Sequence, residues 1–211
     1  MHKPTLSQES VDAARGRYYE VPVQPHLELL VLNFPPWLPF FAPLGPVSVA
    51  GYLRKEGFNV QMIDLNADLF WNFADHWAWW QMESTFRWQA EDTFDAMFAL
   101  FRPYLEKRCR EIIAADPLMI GLSAVGSKER FIRHFSAMLL GLGWSKQLIF
   151  GGPACSNYEG RMSFSPLLKD IYAFVVGEGE LPALELMKAQ RLRQKPRAIP
   201  GVVYPEDDHP G

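Results

Sequence analysis

A chain of 211 residues with a formal net charge of −3 has room for one domain with a sizeable core, and lacks the positive surplus that draws a protein to nucleic acid or anionic lipid. Cys109 and Cys155 are its only cysteines and fall in different expected elements, which argues against a disulfide scaffold or a cysteine-held zinc or iron–sulfur site and fits a reducing cytoplasm. Residues 1–20 contain no apolar core of a secretory signal, and no apolar run reaches the roughly 18 residues of a membrane span.

Residues 1–27 are polar and carry Pro4, Pro22 and Pro25, so an N-terminal arm is expected there, lying on the surface or partly disordered. The domain proper is expected over residues 28–204. Leu27 to Asn33 reads as the first strand, and Phe34-Pro35-Pro36-Trp37-Leu38-Pro39 cannot continue it because proline lacks the ladder donor. Leu44-Gly45-Pro46 opens a helix with proline in its first turn, Ser48, Ala50 and Gly51 keep that helix small against a sheet, and Gly57 closes it. Phe58 to Ile63 is the second strand, ending in Asp64-Leu65-Asn66.

Between residues 67 and 116, Phe70, Phe73, Trp77 and Trp80 fall at helical spacing, as do Phe94, Met97, Phe98, Phe101, Tyr104 and Leu105. Two helices with aromatic faces are predicted, broken near Glu83 to Asp92. These faces would cover one side of a sheet; five tryptophans, Trp71, Trp77, Trp79, Trp80 and Trp88, exceed what one face needs and could instead meet a partner or line a cavity. Leu118 to Leu122 is the third strand, running into Ser123-Ala124-Val125-Gly126-Ser127. Ser127 is expected as the N-cap of a helix striped by Phe131, Phe135, Met138 and Leu142 and stopped by Gly141 and Gly143. Gln147 to Phe150 is the fourth strand, leading to Gly151-Gly152-Pro153-Ala154. After helical content around Pro166 to Lys169, Tyr172 to Val176 is the fifth strand, stopping at Gly177-Glu178-Gly179-Glu180.

Glu180-Leu181-Pro182 opens a last helix, with Lys188, Arg191 and Arg193 at its negative end; dipole and solvation account for that basic run better than a nucleic-acid patch. Ile199 to Tyr204 suggests a short edge strand, and residues 205–211 read as a linker expected to lead towards a C-terminal domain.

Strands separated by helical segments, without hairpin signals, predict an α/β fold: a doubly wound parallel five-stranded sheet in the flavodoxin-like order 2-1-3-4-5, with the aromatic insert between strands 2 and 3 and a ligand crevice at the carboxyl edge beside strand one. That edge is trimmed of side chains at Gly45, Ser123, Ala124, Gly126, Gly151, Gly152, Ala154, Gly177 and Gly179, which lets something bulky approach the backbone. No Gly-x-Gly-x-x-Gly follows strand one and no Walker loop is present. His2, His26, His76, His134 and His209 are scattered without zinc-ligand spacing. Glu178 and Glu180 could be an acid/base pair, but bracing the turn and complementing a helix N-terminus explain them more simply.

Asn33-Phe34-Pro35-Pro36, Pro43-Leu44-Gly45, Gly51-Tyr52-Leu53-Arg54-x-x-Gly57, Asp64-Leu65-Asn66, Ile120-Gly121-Leu122-Ser123, Gly151-Gly152-Pro153 and Val176-Gly177-Glu178-Gly179-Glu180 occur in this order. The series resembles the N-terminal cobalamin (B12)-binding domain of B12-dependent radical S-adenosylmethionine enzymes, over about residues 28–204. The resemblance implies a Rossmann-like domain with the corrin over the carboxyl edge of the sheet and the dimethylbenzimidazole tail threaded beside strands three to five. On that basis Pro35, Pro36, Leu44 and Gly45 are expected to face the corrin, and Asp64 and Leu65 are expected among the cofactor-binding residues. Ser123, Ala124, Val125, Gly126, Ser127, Gly151, Gly152 and Pro153 are expected to admit the tail, with Gly177, Glu178, Gly179 and Glu180 flanking it and Ala154 also expected among the cofactor-binding residues. At the glycines a β-carbon would occupy the space of the tail, and the serine hydroxyls can bond the nucleotide and its phosphate linkage.

Two departures matter. The Asp-x-His-x-x-Gly signature of B12 mutases is missing, since Asn66 stands where its histidine would, so no histidine ligand to cobalt is expected from it. The Cys-x-x-x-Cys-x-x-Cys of the radical enzymes is also absent, so S-adenosylmethionine and a [4Fe–4S] cluster would belong to a separate catalytic domain, in cis or in trans, and this chain alone is not expected to be catalytic. The expected role is to bind cobalamin and present it to that domain, for methyl transfer. The rival expectations are a cofactor-free interaction module using the tryptophan-rich insert and, more weakly, a flavodoxin-like FMN carrier, against which the proline-rich first loop speaks.

Overall fold

The computed structural model describes residues 7–15, 18–194, 196 and 198–208. Strands β1 (Leu29–Asn33), β2 (Val60–Asp64), β3 (Met119–Ser123), β4 (Gln147–Gly151) and β5 (Ile171–Val175) pair in parallel, and a two-residue β6 (Val202–Val203) adds antiparallel to β5. The order is β2-β1-β3-β4-β5-β6, the doubly wound arrangement expected from the sequence with one short strand at its edge. All five residues of β1 are buried, as an apolar run in the middle of a sheet covered on both faces must be.

The two faces differ in what covers them. On one lie α3 (Leu65–Asn72), the 3₁₀ segments Ala74–Trp80 and Met82–Trp88, α4 (Glu91–Ala115) and α5 (Glu129–Gly141), which pack Leu30 and Leu32 of β1 beneath Phe70, Trp80, Trp88, Phe101, Phe131 and Phe135. On the other, α2 (Leu44–Lys55) and α7 (Glu180–Arg191) cover Leu29, Val31, Ile149, Ala173 and Val175 with Ala50, Leu53, Ala183, Leu186 and Met187. The first face holds most of the buried rings, and the second, apart from Phe58 and Tyr204, is built of small, aliphatic and methionine side chains. That asymmetry sets where empty space can remain.

The aromatic insert is therefore core. Trp80 and Trp88 are 2% and 1% exposed, and Trp71, Trp77 and Trp79 pack half-buried against them. Trp88 donates its indole N–H to the Trp79 carbonyl at 2.8 Å and stacks on Phe101. Instead of two helices broken at 83–92, the chain runs from α3 through two 3₁₀ segments into a single long α4, which carries Pro103 in its interior.

The expected N-terminal arm is tied down where it is described. It carries α1 (Gln8–Arg15), whose Val11 is buried; Tyr18 donates to Asp68; and Glu20 accepts from Tyr104 at 2.9 Å and Lys107 at 3.0 Å. Arg108, fully buried, donates to the Val21 carbonyl at 3.0 Å and pairs with Asp68 at 3.3 Å and Glu111 at 2.7 Å. At the other end, Arg161 grips Asp208 through two bonds of 2.7 Å. Residues 1–6, 16 and 17 of the arm and 209–211 of the linker, with His2 and His209, lie outside the described residues.

Ser127 does not cap α5. It sits within a 3₁₀ turn, Gly126–Lys128, closed by the Lys128 N–H on the Val125 carbonyl at 2.7 Å, and the helix begins at Glu129. Between β4 and β5 the chain forms a short α6 (Tyr158–Met162) and a 3₁₀ segment, Ser165–Asp170. Both cysteines are buried free thiols whose pKa burial pushes up to about 12, so neither is a reactive thiolate. Among the described residues no helix is long and apolar enough to cross a membrane.

Candidate functional site

The small-residue face of the sheet is incompletely filled, and the space left is a slot of about 410 Å³ between the sheet and the pair α2 and α7, within the usual range for a cofactor or ligand pocket. Its floor is made of alternate strand residues pointing the same way. Asn33, Ser123, Gly151 and Val175 form the row nearest the carboxyl ends; Val31, Gly121 and Ile149 form the next; Leu29 lies deepest. From Asn33 to Leu29 is four residue steps, a depth of about 13 Å at about 3.3 Å per residue. The opposite wall is Val49 of α2 with Ala183 and Met187 of α7.

Why the slot exists follows from three local choices. Gly121 puts no side chain in the centre of the floor; a β-carbon there would meet Leu29 Cδ1 at 3.6 Å and Val31 Cγ2 at 3.9 Å, ordinary contact, so the absence of larger atoms is what leaves the middle open. Ala183 keeps the facing turn of α7 short. At the mouth, β-carbons on Gly45 and Gly177 would meet nothing within 4 Å. Gly152 is different. Its φ of +107° is a glycine conformation, and a β-carbon would lie 2.6 Å from the Ala124 carbonyl oxygen, so it is glycine because the loops after β3 and β4 are stitched together there. The stitching is visible in the Ala124 N–H donating to the Gly151 carbonyl at 2.7 Å and the Ala154 N–H to the Ala124 carbonyl at 3.1 Å. The expectation that a side chain at this glycine would intrude on bound tail is corrected: it would collide with backbone first.

Of the residues singled out from sequence, Leu44, Gly45, Ser123, Val125, Gly151, Gly152, Pro153, Gly177, Glu178, Gly179 and Glu180 line the slot or its mouth. Others stand outside its lining. Pro35 and Pro36, joined by a cis peptide, are buried within the first loop; Leu65, Ala124 and Ala154 are in the core of the ring-filled face; Gly126 and Ser127 belong to the 3₁₀ turn. Asp64 caps α3, accepting from the N–H groups of Asn66 at 3.1 Å and Ala67 at 3.3 Å, and accepts from Asn33 Nδ2 at 2.8 Å. Glu180 accepts from Ser48, tying α7 to α2 beside the mouth. Bracing, not acid/base pairing, is the contact in which this carboxylate is found.

Sequence reasoning passed over Asn33, Trp37 and Lys128. Lys128 lines the slot with only 1% exposure; its Nζ donates to Asn33 Oδ1 at 2.6 Å and lies 5.2 Å from the centre of the Trp37 ring. Burial pushes its pKa down to about 8, against the opposing pull of the Asp64 charge. Trp37 is held by Asn66, whose side chain accepts its N–H at 3.1 Å and donates to its carbonyl at 3.2 Å. The signal that was available is Asn33 ending an otherwise wholly apolar strand. Two residues of the lining leave apolar surface in solvent, Trp37 at 39% and Leu44 at 80% exposure. His26, His76 and His134 do not line the slot, and among the described residues no cluster of three or more His, Cys, Asp or Glu could hold a metal ion.

No protein-family model matches the chain, and no curated protein matches it in sequence. Solved structures do. The radical S-adenosylmethionine methyltransferase TsrM from Kitasatospora setae, with tryptophan substrate and the analogue aza-SAM bound, is 18% identical with a TM-score of 0.57 over 83% of this chain. The same enzyme with cobalamin and a [4Fe–4S] cluster bound is 18% identical with a TM-score of 0.58 over 85%. The chain spans 28% and 27% of the length of those two structures, so at this identity the comparison establishes a shared fold with about a quarter of a larger methyltransferase.

Proposed function

We propose that the chain is a cobalamin-binding module that presents the cofactor to a radical S-adenosylmethionine catalytic domain, in cis or in trans, within a reducing cytoplasm. The observation that carries this is the slot: apolar and about 410 Å³, entered from the carboxyl edge of the sheet and floored by Gly121. Its volume and apolar lining suit a flat aromatic base on a tail, and its open glycine mouth with the exposed Trp37 and Leu44 suits a macrocycle too large to enter. The likeness to a cobalamin-containing methyltransferase structure supports the same reading.

Leu29, Val31, Val49, Ile149, Ala183 and Met187 would exclude water from the tail, while Ser123 and Glu178 offer polar contacts nearer the mouth. Gly45, Leu44 and Gly177 would lie against the macrocycle. When bound, cobalamin supplies methyl-transfer chemistry to the partner domain, on which S-adenosylmethionine and the iron–sulfur cluster reside. The module's own contribution is binding and orientation. The interaction-module alternative has less support, because the tryptophans of the insert are core and half-buried residues instead of an exposed patch.

The test is retention of hydroxocobalamin through desalting, read as the red corrinoid spectrum, by the wild-type protein and by Gly121→Leu. A leucine there extends from a β-carbon in ordinary contact into the slot, so chromophore should be lost while circular dichroism is kept. A colourless wild-type fraction overturns the proposal, and a yellow fluorescent one after flavin loading points to FMN.

A further inference from the structure

Among the described residues that line the slot, Lys128 is the one ionic group shut off from solvent. An ammonium carries three N–H donors, and the single acceptor it has in the described structure is Asn33 Oδ1, at 2.6 Å. It makes no ion pair among the described residues; the Trp37 ring, 5.2 Å away, is its other electron-rich neighbour. Burying a cation without a counter-charge is unfavourable relative to an apolar side chain of the same length, so this lysine lowers the stability of the empty fold.

Its surroundings hold it in place. Asn33 Nδ2 is committed to Asp64 Oδ1 at 2.8 Å, which turns Asn33 Oδ1 towards Lys128, and Asp64 is itself fixed as the cap of α3. A buried donor positioned through two further side chains at the wall of a cavity has the form of a preorganised recognition group.

We propose that Lys128 is the polar recognition point of the slot, donating a hydrogen bond to an oxygen acceptor of the bound cofactor. The inference rests on the cobalamin reading above. Two parts of a corrinoid offer that chemistry: the amide carbonyls on the rim of the macrocycle and the phosphodiester of the nucleotide tail. Binding should also be linked to protonation, because an acceptor at Nζ favours the ammonium form. The charged groups on the elements around Lys128 are Asp64 on β2, Glu83 and Arg87 on the 3₁₀ segment Met82–Trp88, Glu129 and Arg130 at the start of α5, and Glu178 and Glu180 across the mouth; Asp64 is the charge that favours its proton.

The experiment measures dissociation constants of hydroxocobalamin and of cobinamide, which keeps the rim amides and lacks the nucleotide, for wild type, Lys128→Gln and Lys128→Met. Calorimetry near pH 8 in two buffers of different ionisation enthalpy gives the protons taken up. Loss of a charged hydrogen bond should weaken hydroxocobalamin by about 10- to 100-fold in both variants. Wild type should take up about half a proton near its titration midpoint and the variants none. Weakening of cobinamide as well places the acceptor on the macrocycle; weakening of hydroxocobalamin alone places it on the phosphodiester. Lys128→Met, which removes the buried charge, keeps the measurement valid should Lys128→Gln fold poorly. Wild-type affinity and proton uptake in both variants overturn this inference while leaving the cobalamin reading standing, and a wild-type protein that binds neither corrinoid overturns both.

Discussion

Replacing Lys128 by methionine should make the cofactor-free protein less dependent on alkaline pH, and the size of the effect can be worked from its burial. The side chain is 1% exposed and its pKa falls from 10.5 to about 8, chiefly through desolvation. Between those values the unfolded chain binds a proton that the folded protein does not, so wild-type stability should rise with pH there. At about 1.4 kcal/mol per unit, the rise is about 3 kcal/mol between pH 8 and 10.5, and it is absent below pH 8, where both states are protonated. Lys128→Met removes that slope. At pH 7 it also removes the burial cost of the charge, offset by the unpaired Asn33 Oδ1, which costs about 1–3 kcal/mol. The variant should therefore be equal to wild type or up to about 2 kcal/mol more stable at pH 7, and lose that advantage by pH 10. Urea unfolding of both proteins at half-unit intervals from pH 7 to 10.5 reads the difference, in which all other titrating groups cancel. Parallel profiles would show that Nζ is solvated in solution and that the slot wall is not closed at that point.

Gly152→Ala should cost about 3 kcal/mol from backbone strain and collision with the Ala124 carbonyl, visible as a lower urea midpoint, whereas Gly45→Ala should stay within about 0.5 kcal/mol of wild type. Equal midpoints would refute the stitched-loop account. Trp88→Ala should lose about 3–5 kcal/mol, since the indole is 1% exposed and its N–H is bonded to Trp79, and Phe86→Ala, at 60% exposure, should be close to neutral. A small loss at Trp88 would mean the insert is not core. Asp68, pushed by burial up to about 6 from 3.8 despite Tyr18 and Arg108, should favour the fold below pH 3.8 and lose that contribution as pH rises through 6. The unfolding free energy of Asp68→Asn, from urea titrations, should then lack the decline of about 3 kcal/mol expected of wild type across that window; an unchanged decline assigns it to other groups.

Strand identity, strand order and the trimmed carboxyl edge were all legible from residues alone, because buried parallel strands are short apolar runs, and here β1 and β2 stop at the polar Asn33 and Asp64 while β3, β4 and β5 run into serine or glycine. Helix starts were less legible where a side chain had competing work. Ser127 had the composition of a cap, yet the turn through Lys128 was drawn one residue further by a hydrogen bond to Asn33, a partner 95 residues away in sequence. The N-terminal arm looked loose because its ties to Gln61, Asp68, Tyr104 and Arg108 are each to a distant element.

What the residues determined without help is periodicity and punctuation: where backbone must be buried, where it must turn, and that one rim is low in side-chain volume. Only the assembled sheet decided that the rings crowd one face and the aliphatic residues the other, since which face a strand residue takes depends on the neighbours it pairs with. The unfilled volume beneath α2 and α7 is a remainder of that packing, and no local stretch of sequence encodes a remainder. The same holds for Lys128, whose meaning comes from being surrounded.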